Sequence, residues 1–591
     1  MRSYLSIRNF YFLSALCLFI YLILRALMVP PVHDEAATFM HYIQRDEWQP
    51  FKAHWDANNH ILNSFLSAQL FKIFGRSLFV LRLASILFFP LYALYVFKIG
   101  KYFHNKLVQM CFLFGMLGVH NLMEYFGYSR GYAMSMALLM AAIYFILRYL
   151  VDFNVKKLWP FYIFSTLALI ANLTLFNTVL LLNGFLILSF VFENKSWVLK
   201  FIYCAVALLP IIGVAILSLE MKRIGLLYYG SDKGFYDVTV WSLVMLIYDS
   251  WVPAIGVFFV VLSCLAVVFL GASRTGGKLS IWLFSNRWFF AWMFIGNIIA
   301  TILLQIIMKV NYPEDRTAMY FYFFLVLFFC FAIDAIKVSS IRKFALVWIV
   351  FPIHFAFNIN LSHSSYWYYE HLPECFYTNI KARIGDDPAK VSIGGYVLHD
   401  MIWAYYNHKT GGQLNDIQTA DYPSFYYDYL LLYDDNNNAY ASDFYTKLWE
   451  SPVSGIRVLE RNEKVKLNLV DEFSLPDYLN DTNEYITFIE NDTLRFYKNI
   501  CVDVQTHFQN SDPFFFGMLT LGSYIKEERG PHENQEFHLF RAEWNKGYDF
   551  HHRIYMQGLS PNATRVMLYF WNPRHQRVNL SNTRIQVFSW D

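Results

Sequence analysis

The chain opens with an apolar run, FYFLSALCLFIYLILRALMV at residues 10–29, which leads into PPVHDEAAT at residues 30–38. About 20 apolar residues in a helix cross the roughly 30 Å hydrocarbon core of a bilayer. The run therefore predicts a first membrane-spanning helix, interrupted only by Arg25 and small polar residues. Two adjacent carboxylates, Asp34 and Glu35, follow where this helix leaves the bilayer, and charge at a bilayer edge usually has a function.

The composition is that of a polytopic membrane protein. Of 591 residues, 56% are hydrophobic, 20% are aromatic and 16% are charged, whereas an average soluble domain has about 25% charged residues. The net charge is only +3 and the basic residues are spread among short loops, so nucleic acid is not an expected partner. Of the seven cysteines, only Cys375 and Cys501 lie in polar sequence, where one disulfide is an open alternative.

Apolar windows predict about eleven membrane spans. They lie near residues 9–29, 77–97, 107–123, 131–150, 158–172, 176–192, 200–219, 253–272, 288–308, 319–336 and 344–361. Two of these segments are short, and the stretch 235–250 is an alternative re-entrant helix, so the count is open by one or two.

Lysines and arginines are concentrated in alternate loops, which by the positive-inside rule face the cytoplasm. The N-terminus, with Arg2 and Arg8, is therefore expected in the cytoplasm, and the Asp34-Glu35 pair outside. We expect the first span to remain as an uncleaved anchor, because no small-x-small cleavage site precedes His33.

The composition changes after Asn360, where Asp, Asn, Glu and Tyr become frequent and no further span is predicted. Residues 362–465 alternate strand and helix signals, which indicates a small α/β domain, and residues 466–591 have the short alternating runs of a β-sandwich. We therefore expect a transmembrane domain at 1–361, with an outer loop at 30–76, followed by two extracytoplasmic domains.

The outer loop contains a second polar group, DANNHILN at residues 56–63. On a helix that begins near Asn58, one face is polar and the other apolar. The polar face consists of Asn59, His60, Asn63, Ser64 and Ser67, and the apolar face of Ile61, Leu62, Phe65 and Leu66. Such a helix is expected to lie along the membrane surface and to offer its polar face to a site.

Two arginines are predicted on the same side of the membrane as the acidic pair. Arg130 lies in YSRGY at residues 128–132, before the fourth span, and Arg316 in NYPEDR at residues 311–316, before the tenth. A guanidinium group is planar, permanently charged and suited to phosphate. Acidic, imidazole and guanidinium groups are therefore expected to converge outside the bilayer.

The acidic pair, the Asn/His-bearing helix and the two arginine motifs follow one another in this order on the outer side of the membrane. In this respect the chain resembles GT-C class glycosyltransferases, and in particular the protein O-mannosyltransferase and lipid A aminoarabinose transferase group. The resemblance covers about residues 1–360 and leaves the soluble tail unexplained. It implies an integral enzyme of the inner (plasma) membrane that moves a sugar from a polyprenyl-phosphate donor to an acceptor at the outer, periplasmic face. The acceptor would be a glycan, a lipid or a protein.

The resemblance implies a role for each residue of the expected site. Asp34 would be the general base for the acceptor hydroxyl and Glu35 would assist it, with inversion at the sugar carbon in a single displacement. Arg130 and Arg316 would hold the leaving phosphate, with His60 as a hydrogen-bond donor. Contacts to the acceptor or the sugar would come from Asn59, Asn63 and Tyr128.

No cofactor is expected to be required. A divalent cation held by Asp34 and His60 is the alternative. The sequence departs from the aminoarabinose transferases near Asn58, where the resemblance would lead us to expect a Glu and a Lys-Pro-Pro-like run. That departure puts a metal site in doubt.

Each assignment has a structural alternative. Asp34 and Glu35 are also typical of the first turn of a helix, where acids favour the helix dipole. Arg130 and Arg316 could extend to lipid phosphates, and His60 could be a hydrogen-bonded surface imidazole. The aromatic run at residues 320–324 is predicted to face the membrane and its interface instead of binding sugar.

The main alternative function is a membrane transporter or lipid flippase with an extracytoplasmic binding domain. Transporters tend to have internal repeats and spans broken by Gly or Pro near the midplane, and neither pattern is found in this sequence. A third class, an anchored sugar-binding or assembly protein, would not need so many spans.

Overall fold

The computed structural model describes residues 2–52, 56–75, 77–152, 155–191, 197–248, 252–272, 286–384, 391–411, 414–420, 423–433, 441–512, 514–526, 530–538 and 544–590. The chain divides into two units. We call Met1–Val29 together with His41–Tyr366 the membrane unit, and Pro30–Met40 together with Trp367–Asp591 the tail unit. The segment that carries Asp34 and Glu35 thus belongs to the tail unit.

Eight described helices of the membrane unit are long and apolar enough to cross a bilayer. They are Ile7–Met28, Leu78–Gly100, Gly131–Val151, Phe201–Arg223, Pro253–Gly271, Trp288–Met308, Asp315–Asp334 and Ser339–Phe357. A further helix pair, Lys106–Leu117 with His120–Gly127, is bent by 58°. The shorter apolar helices are Ile61–Phe74, Trp159–Ala171, Leu173–Ser189 and Tyr236–Ile247. The predicted spans near 158–172 and 176–192 correspond to shorter helices, so eight of the described helices, or nine with the bent pair, are long enough to span, and not eleven. The polytopic helical fold class is confirmed.

One aromatic helix lies inside the membrane unit. All 16 residues of Met319–Asp334 are buried, as expected for a helix that is apolar on every side. The Tyr322 hydroxyl donates to the Gly115 carbonyl oxygen at 2.9 Å. The prediction that residues 320–324 face the membrane is therefore wrong. Lipid tails and a protein interior are equally apolar, so hydropathy alone does not separate the two environments.

A buried ion pair connects the first helix to the bent helix pair. Arg25 Nη2 lies 2.8 Å from Glu124 Oε1, and each side chain is only 2% exposed. Arg25 also donates to the backbone oxygens of Asn360 at 2.7 Å and His363 at 2.8 Å. The Tyr128 hydroxyl donates to Glu124 Oε2 at 3.2 Å. The pair therefore ties together segments that are far apart in sequence.

The tail unit begins with a mixed sheet. Its strands are β1 Ile393–Gly395, β2 Gln418–Thr419, β3 Tyr429–Tyr433, β4 Tyr445–Glu450 and β5 Ile456–Arg461. They follow the order β2-β1-β3-β5-β4, in which β1 pairs in parallel with β2 and β3 and the other pairs are antiparallel. The helices of this unit are His33–Thr38, Glu374–Ile384, Val397–Lys409 and Ala441–Phe444.

A β-sandwich follows. Its strands are β6 Asn468–Ser474, β7 Tyr478–Asp481, β8 Tyr485–Asn491, β9 Asn499–Asn510, β10 Met518–Tyr524, β11 Glu533–His538, β12 Tyr548–Gln557, β13 Arg565–Trp571 and β14 Val578–Ser589. The sheets have the orders β11-β10-β13-β8 and β12-β9-β14-β6, with β7 paired to β14. Both sheets contribute to one apolar core, where Phe508 packs against Trp544 and Phe570 at 4.7 and 5.3 Å between ring centroids. The α/β plus β-sandwich fold class is confirmed.

The boundary predicted between residues 465 and 466 remains a prediction. The two cysteines in polar sequence are both free in this structure, Cys375 being exposed and Cys501 buried on β9. No disulfide joins them here.

We expect Glu124→Gln to destabilise the protein strongly, because it would leave Arg25 charged in a buried position. Removing one partner of a buried pair costs about 3–5 kcal/mol, and an exposed pair contributes about 0–1 kcal/mol. The matched control is Glu490→Gln, which breaks the exposed Arg565–Glu490 pair of the sandwich. Thermal unfolding in detergent is expected to separate the two variants, and equal melting temperatures would contradict the prediction.

Candidate active site

The helix Ile61–Phe74 presents its polar face to the protein. Its buried residues are Asn63, Ser64, Ser67 and Ala68, whereas the residues of the predicted apolar face are partly exposed. Ser67 Oγ donates to the Leu81 carbonyl oxygen at 2.9 Å, and Asn63 Nδ2 donates to Ser129 Oγ at 3.3 Å. The division into two faces is confirmed. The helix begins at Ile61 and not at Asn58, and its polar face is enclosed by protein.

Arg130 lies in the turn before the helix Gly131–Asp152 and is fully buried. Its Nη2 donates to the Asn58 side-chain oxygen and its Nη1 to the Asn58 carbonyl oxygen at 3.5 Å. The guanidinium carbon is 5.6 Å from the centroid of the Tyr132 ring. The positive end of a helix dipole and a guanidinium group therefore coincide at this turn.

His60 packs against the same turn. Its Nδ1 is 2.9 Å from the Ala171 carbonyl oxygen, and its ring is 4.4 Å from the Tyr132 ring. Because a carbonyl oxygen only accepts, Nδ1 carries the proton. A neutral His60 could then only accept through Nε2, and donation to a phosphate would require the imidazolium form. A Cβ at Gly131 would lie 2.0 Å from the Ala171 oxygen and 2.8 Å from His60 Nδ1, so the glycine permits this packing.

Asn59 holds the loop before the helix. Its side-chain oxygen accepts from Ser64 Oγ at 3.0 Å, and its Nδ2 donates to the Trp48 carbonyl oxygen at 3.3 Å. The Tyr128 hydroxyl is engaged by Glu124 and Arg25. The sugar or acceptor roles of Asn59 and Tyr128 stay predictions, and both side chains have clear structural partners.

Arg316 lies where Asp315–Ala318 leads into the buried aromatic helix, and its side chain is 11% exposed. Its Nη1 is 3.1 Å from Asp315 Oδ2 and 2.6 Å from the Tyr229 hydroxyl. The Tyr229 hydroxyl also donates to Asp315 Oδ2 at 2.7 Å. Burial raises the pKa of the Tyr229 phenol, which therefore stays neutral. Arg316 is thus held by an aspartate and a tyrosine.

Three tyrosines connect the two arginines. The Tyr125 and Tyr132 rings are 5.5 Å apart. Tyr125 lies within electrostatic range of Arg316, and Tyr229 within range of Tyr132. Arg130, His60, Asn58 and Arg316 therefore belong to one cluster of the membrane unit, which we call the arginine-tyrosine cluster. Tyr132 belongs to the YSRGY run around Arg130, but the sequence gives no signal for Tyr125 and Tyr229, because aromatic residues are common throughout the chain.

Asp34 and Glu35 occupy the first turn of the helix His33–Thr38 in the tail unit. Val32 provides no side-chain cap, and the His33 backbone N–H donates to Glu370 Oε2 at 2.7 Å. Glu35 is 1% exposed, whereas Asp34 is partly exposed. The helix-dipole interpretation is therefore compatible with both acids, and Asp34 is the more accessible carboxylate.

The His33 side chain fixes this helix to the tail unit. Its Nδ1 is 3.2 Å from the Leu398 carbonyl oxygen and 3.5 Å from Asp400 Oδ1. Burial raises the pKa of Asp400 to about 6, against the opposing effect of His33. Phe39 adds an edge contact to Tyr405 at 5.3 Å between ring centroids. The segment with Asp34 is therefore anchored by polar and aromatic contacts.

Among the described residues, no group of three or more His, Cys, Asp or Glu side chains could hold a metal ion. The cation proposed for Asp34 and His60 remains a prediction, and these residues belong to different units.

Three solved structures are similar to this chain at low scores. Arabinosyltransferase EmbB from Mycobacterium smegmatis is 10% identical, with 97% of this chain and 64% of that chain covered and a TM-score of 0.37. ArnT from Cupriavidus metallidurans in the apo state is 10% identical. The match covers 77% of this chain and 98% of that chain, with a TM-score of 0.35. ArnT from the same organism bound to undecaprenyl phosphate is 11% identical. The match covers 76% of this chain and 97% of that chain, with a TM-score of 0.33.

The chain thus spans 64% of the length of the EmbB structure. No protein-family model and no curated protein matches the sequence. All three likenesses are distant, at 10–11% identity.

We expect Gly131→Ala to disturb the arginine-tyrosine cluster, because its Cβ would meet the Ala171 oxygen and His60. The matched control is Gly184→Ala, in the helix Phe176–Val191, where no described atom lies within 4 Å of the added Cβ. Alanine in a helix is favoured over glycine by about 0.5–1 kcal/mol. The control is therefore expected to melt at the same or a higher temperature, and Gly131→Ala at a lower one. An unchanged melting temperature for Gly131→Ala would contradict the packing described for His60.

Proposed function

We propose that the protein is an integral membrane glycosyltransferase that uses a polyprenyl-phosphate-linked sugar as donor. The observation that carries this proposal is the arginine-tyrosine cluster. It holds two guanidinium groups, each at the start of an apolar helix, with tyrosine side chains around them. Such a cluster suits an anionic head group whose hydrocarbon chain stays in the bilayer.

The arginines supply the charge that phosphate departure requires. Arginine forms two-pronged hydrogen bonds to phosphate, and helix N-termini favour anions. Arg130 is oriented by Asn58, and Arg316 by Asp315 and Tyr229. Groups fixed before the reaction stabilise developing charge without reorganisation, and each is worth about 100- to 1000-fold in rate.

Asp34 is the proposed general base and Glu35 its supporting carboxylate. The acceptor hydroxyl gives its proton to Asp34 as its oxygen attacks C1 of the sugar. The bond from C1 to the phosphate oxygen breaks on the opposite face, and its electron pair leaves with the polyprenyl phosphate. This single displacement inverts the configuration at C1 and needs no covalent sugar-enzyme intermediate.

The proposed setting is the inner membrane. The N-terminus lies in the cytoplasm, and the tail unit lies at the outer face with the acceptor, which is a glycan, a lipid or a protein. The alternating distribution of basic loop residues supports this orientation.

We expect Asp34→Asn to abolish sugar transfer without unfolding the protein. The matched control is Asp443→Asn, which changes another first-turn aspartate of a short helix in the tail unit. If Asp34 acted only on its helix dipole, both variants would keep their activity, since that effect is about 0.3–1 kcal/mol. Transfer from labelled undecaprenyl-phosphate sugars by purified protein distinguishes the two cases. Retained transfer by Asp34→Asn would overturn its role as the base.

We expect Arg130→Lys to lower the transfer rate by about 100-fold or more, because an ammonium group cannot reproduce a two-pronged contact to phosphate. The control is Arg565→Lys on the exposed face of the sandwich, which should keep the full rate. Equal rates for the two variants would contradict a phosphate role for Arg130.

We expect transfer to continue after exhaustive treatment with EDTA, because arginines supply the positive charge in the proposed mechanism. The measurement is the initial rate before and after chelation, with Mg²⁺ or Mn²⁺ added back. A rate lost to EDTA and restored by either ion would show that a cation takes part.

A further inference from the structure

Two buried polar atoms beside Arg130 lack a hydrogen-bond partner in the described part of the chain. They are the Tyr42 hydroxyl and the Asn63 side-chain oxygen. Tyr42 is 1% exposed and Asn63 is fully buried. Roughly 90% or more of buried polar groups in proteins are hydrogen-bonded. Two exceptions around one arginine therefore need an explanation.

Independent elements place both side chains near the turn of Ser129 and Arg130. Tyr42 lies in the π-helix Phe39–Ile43 and within electrostatic range of Arg130. Asn63 lies on the helix Ile61–Phe74, and its Nδ2 donates to the hydroxyl of Ser129, the residue before Arg130. The two side chains thus lie near the Ser129-Arg130 turn on different segments of the membrane unit.

The segment after Tyr42 adds a further acceptor. Gln49 Oε1 is also buried without a partner among the described residues, whereas the Asp46 carboxylate pairs with Lys72 near the C-terminal end of the helix Ile61–Phe74. The neighbouring Trp48 carbonyl oxygen accepts from Asn59, which connects this segment to the loop before the helix of Asn63. The amide oxygens of Asn63 and Gln49 only accept, and the Tyr42 hydroxyl can donate or accept, so a ligand with O–H groups would complement these three atoms.

The chemistry of the two side chains limits the ligand. An amide oxygen only accepts, and an ionised phosphate oxygen also only accepts, so Asn63 Oδ1 is not suited to the phosphate itself. Burial raises the pKa of the Tyr42 phenol, so its hydroxyl stays neutral and can donate or accept. A sugar hydroxyl both donates and accepts and can satisfy either side chain.

We propose that Tyr42 and Asn63 bind hydroxyl groups of the donor sugar, beside the phosphate held by Arg130. This inference rests on the proposed function and assigns Tyr42 and Asn63 as determinants of donor specificity. A site built to hydrogen-bond a hydroxyl group discriminates strongly against a ligand that lacks it, because its own buried groups are then left unpaired.

The test compares two classes of lipid. The probes are undecaprenyl phosphate and undecaprenyl phosphate linked to mannose, glucose or arabinose. Binding to the purified protein is measured for the wild type, Tyr42→Phe and Asn63→Leu. Both variants should bind undecaprenyl phosphate within about twofold of the wild type. They should bind the preferred sugar lipid about tenfold more weakly, a factor typical of one lost hydrogen bond.

The ligand-free variants provide a second measurement. Tyr42→Phe removes a buried hydroxyl that has no partner among the described residues, so its melting temperature without lipid should be equal to or higher than that of the wild type. If the Tyr42 hydroxyl instead stabilised the fold, Tyr42→Phe would have a lower melting temperature than the wild type. Lower affinity for the sugar lipid combined with undiminished stability is the signature of a binding residue.

Matched controls come from buried residues whose polar atoms are satisfied. The Tyr92 hydroxyl donates to the Met116 carbonyl oxygen at 2.7 Å. The Asn297 side chain accepts from Thr178 and donates to the Met293 carbonyl oxygen, both at 2.7 Å. Tyr92→Phe and Asn297→Leu should lower the melting temperature and leave the preference for sugar lipid over undecaprenyl phosphate unchanged.

The outcomes separate this inference from the proposed function. If the wild type binds none of the lipids, the proposed function fails, and the inference fails with it. If the wild type binds the lipids but neither variant changes its preference for a sugar lipid, only the inference is overturned. That second result would indicate that Tyr42 and Asn63 form hydrogen bonds with bound water and not with the sugar.

Discussion

The buried pair of Arg25 and Glu124 is the interaction on which the architecture of the candidate site depends. A charge enclosed by apolar helices is tolerated only when a partner and further hydrogen bonds replace the lost water. Arg25 meets this requirement with Glu124, the Tyr128 hydroxyl and two backbone oxygens. Because Tyr128 begins the turn that ends at Arg130, the pair fixes one side of the arginine-tyrosine cluster to the first helix.

The same principle explains how the other arginines are held. Arg82 is fully buried and donates to the carbonyl oxygens of Ala26 and Val29 at 3.1 and 2.7 Å, which satisfies the C-terminal end of the first helix. Arg316 is balanced by Asp315, whose backbone φ of 40° is unusual for a residue other than glycine. Backbone strain of this kind is often found at functional sites. Each cationic group in this region is therefore oriented before any ligand binds.

The sequence was sufficient for the features that depend on local pattern. Apolar length predicted the helices, and helical periodicity separated Asn63 and Ser67 from the apolar face of their helix. Alternation and turn residues predicted the β-sandwich. These features could be predicted because each is determined by neighbouring residues along the chain.

Features that depend on residues distant in sequence could not be predicted. In the sequence, Arg25 is only an interruption of an apolar run, because its partner Glu124 belongs to a different helix. Whether a polar or aromatic face meets lipid, water or protein also depends on the packing of other helices, as Tyr322 and the helix Ile61–Phe74 demonstrate. Tyr229 and Tyr42 are single members of an abundant residue type, so no spacing distinguishes them.

The central claim is that Arg130 and Arg316 bind one phosphate group. The most direct measurement is a cryo-EM structure of the full chain with an undecaprenyl-phosphate sugar. We expect the phosphate within hydrogen-bonding distance, about 2.7–3.2 Å, of both guanidinium groups. A lipid phosphate bound elsewhere, with both arginines still in their ligand-free contacts, would contradict it.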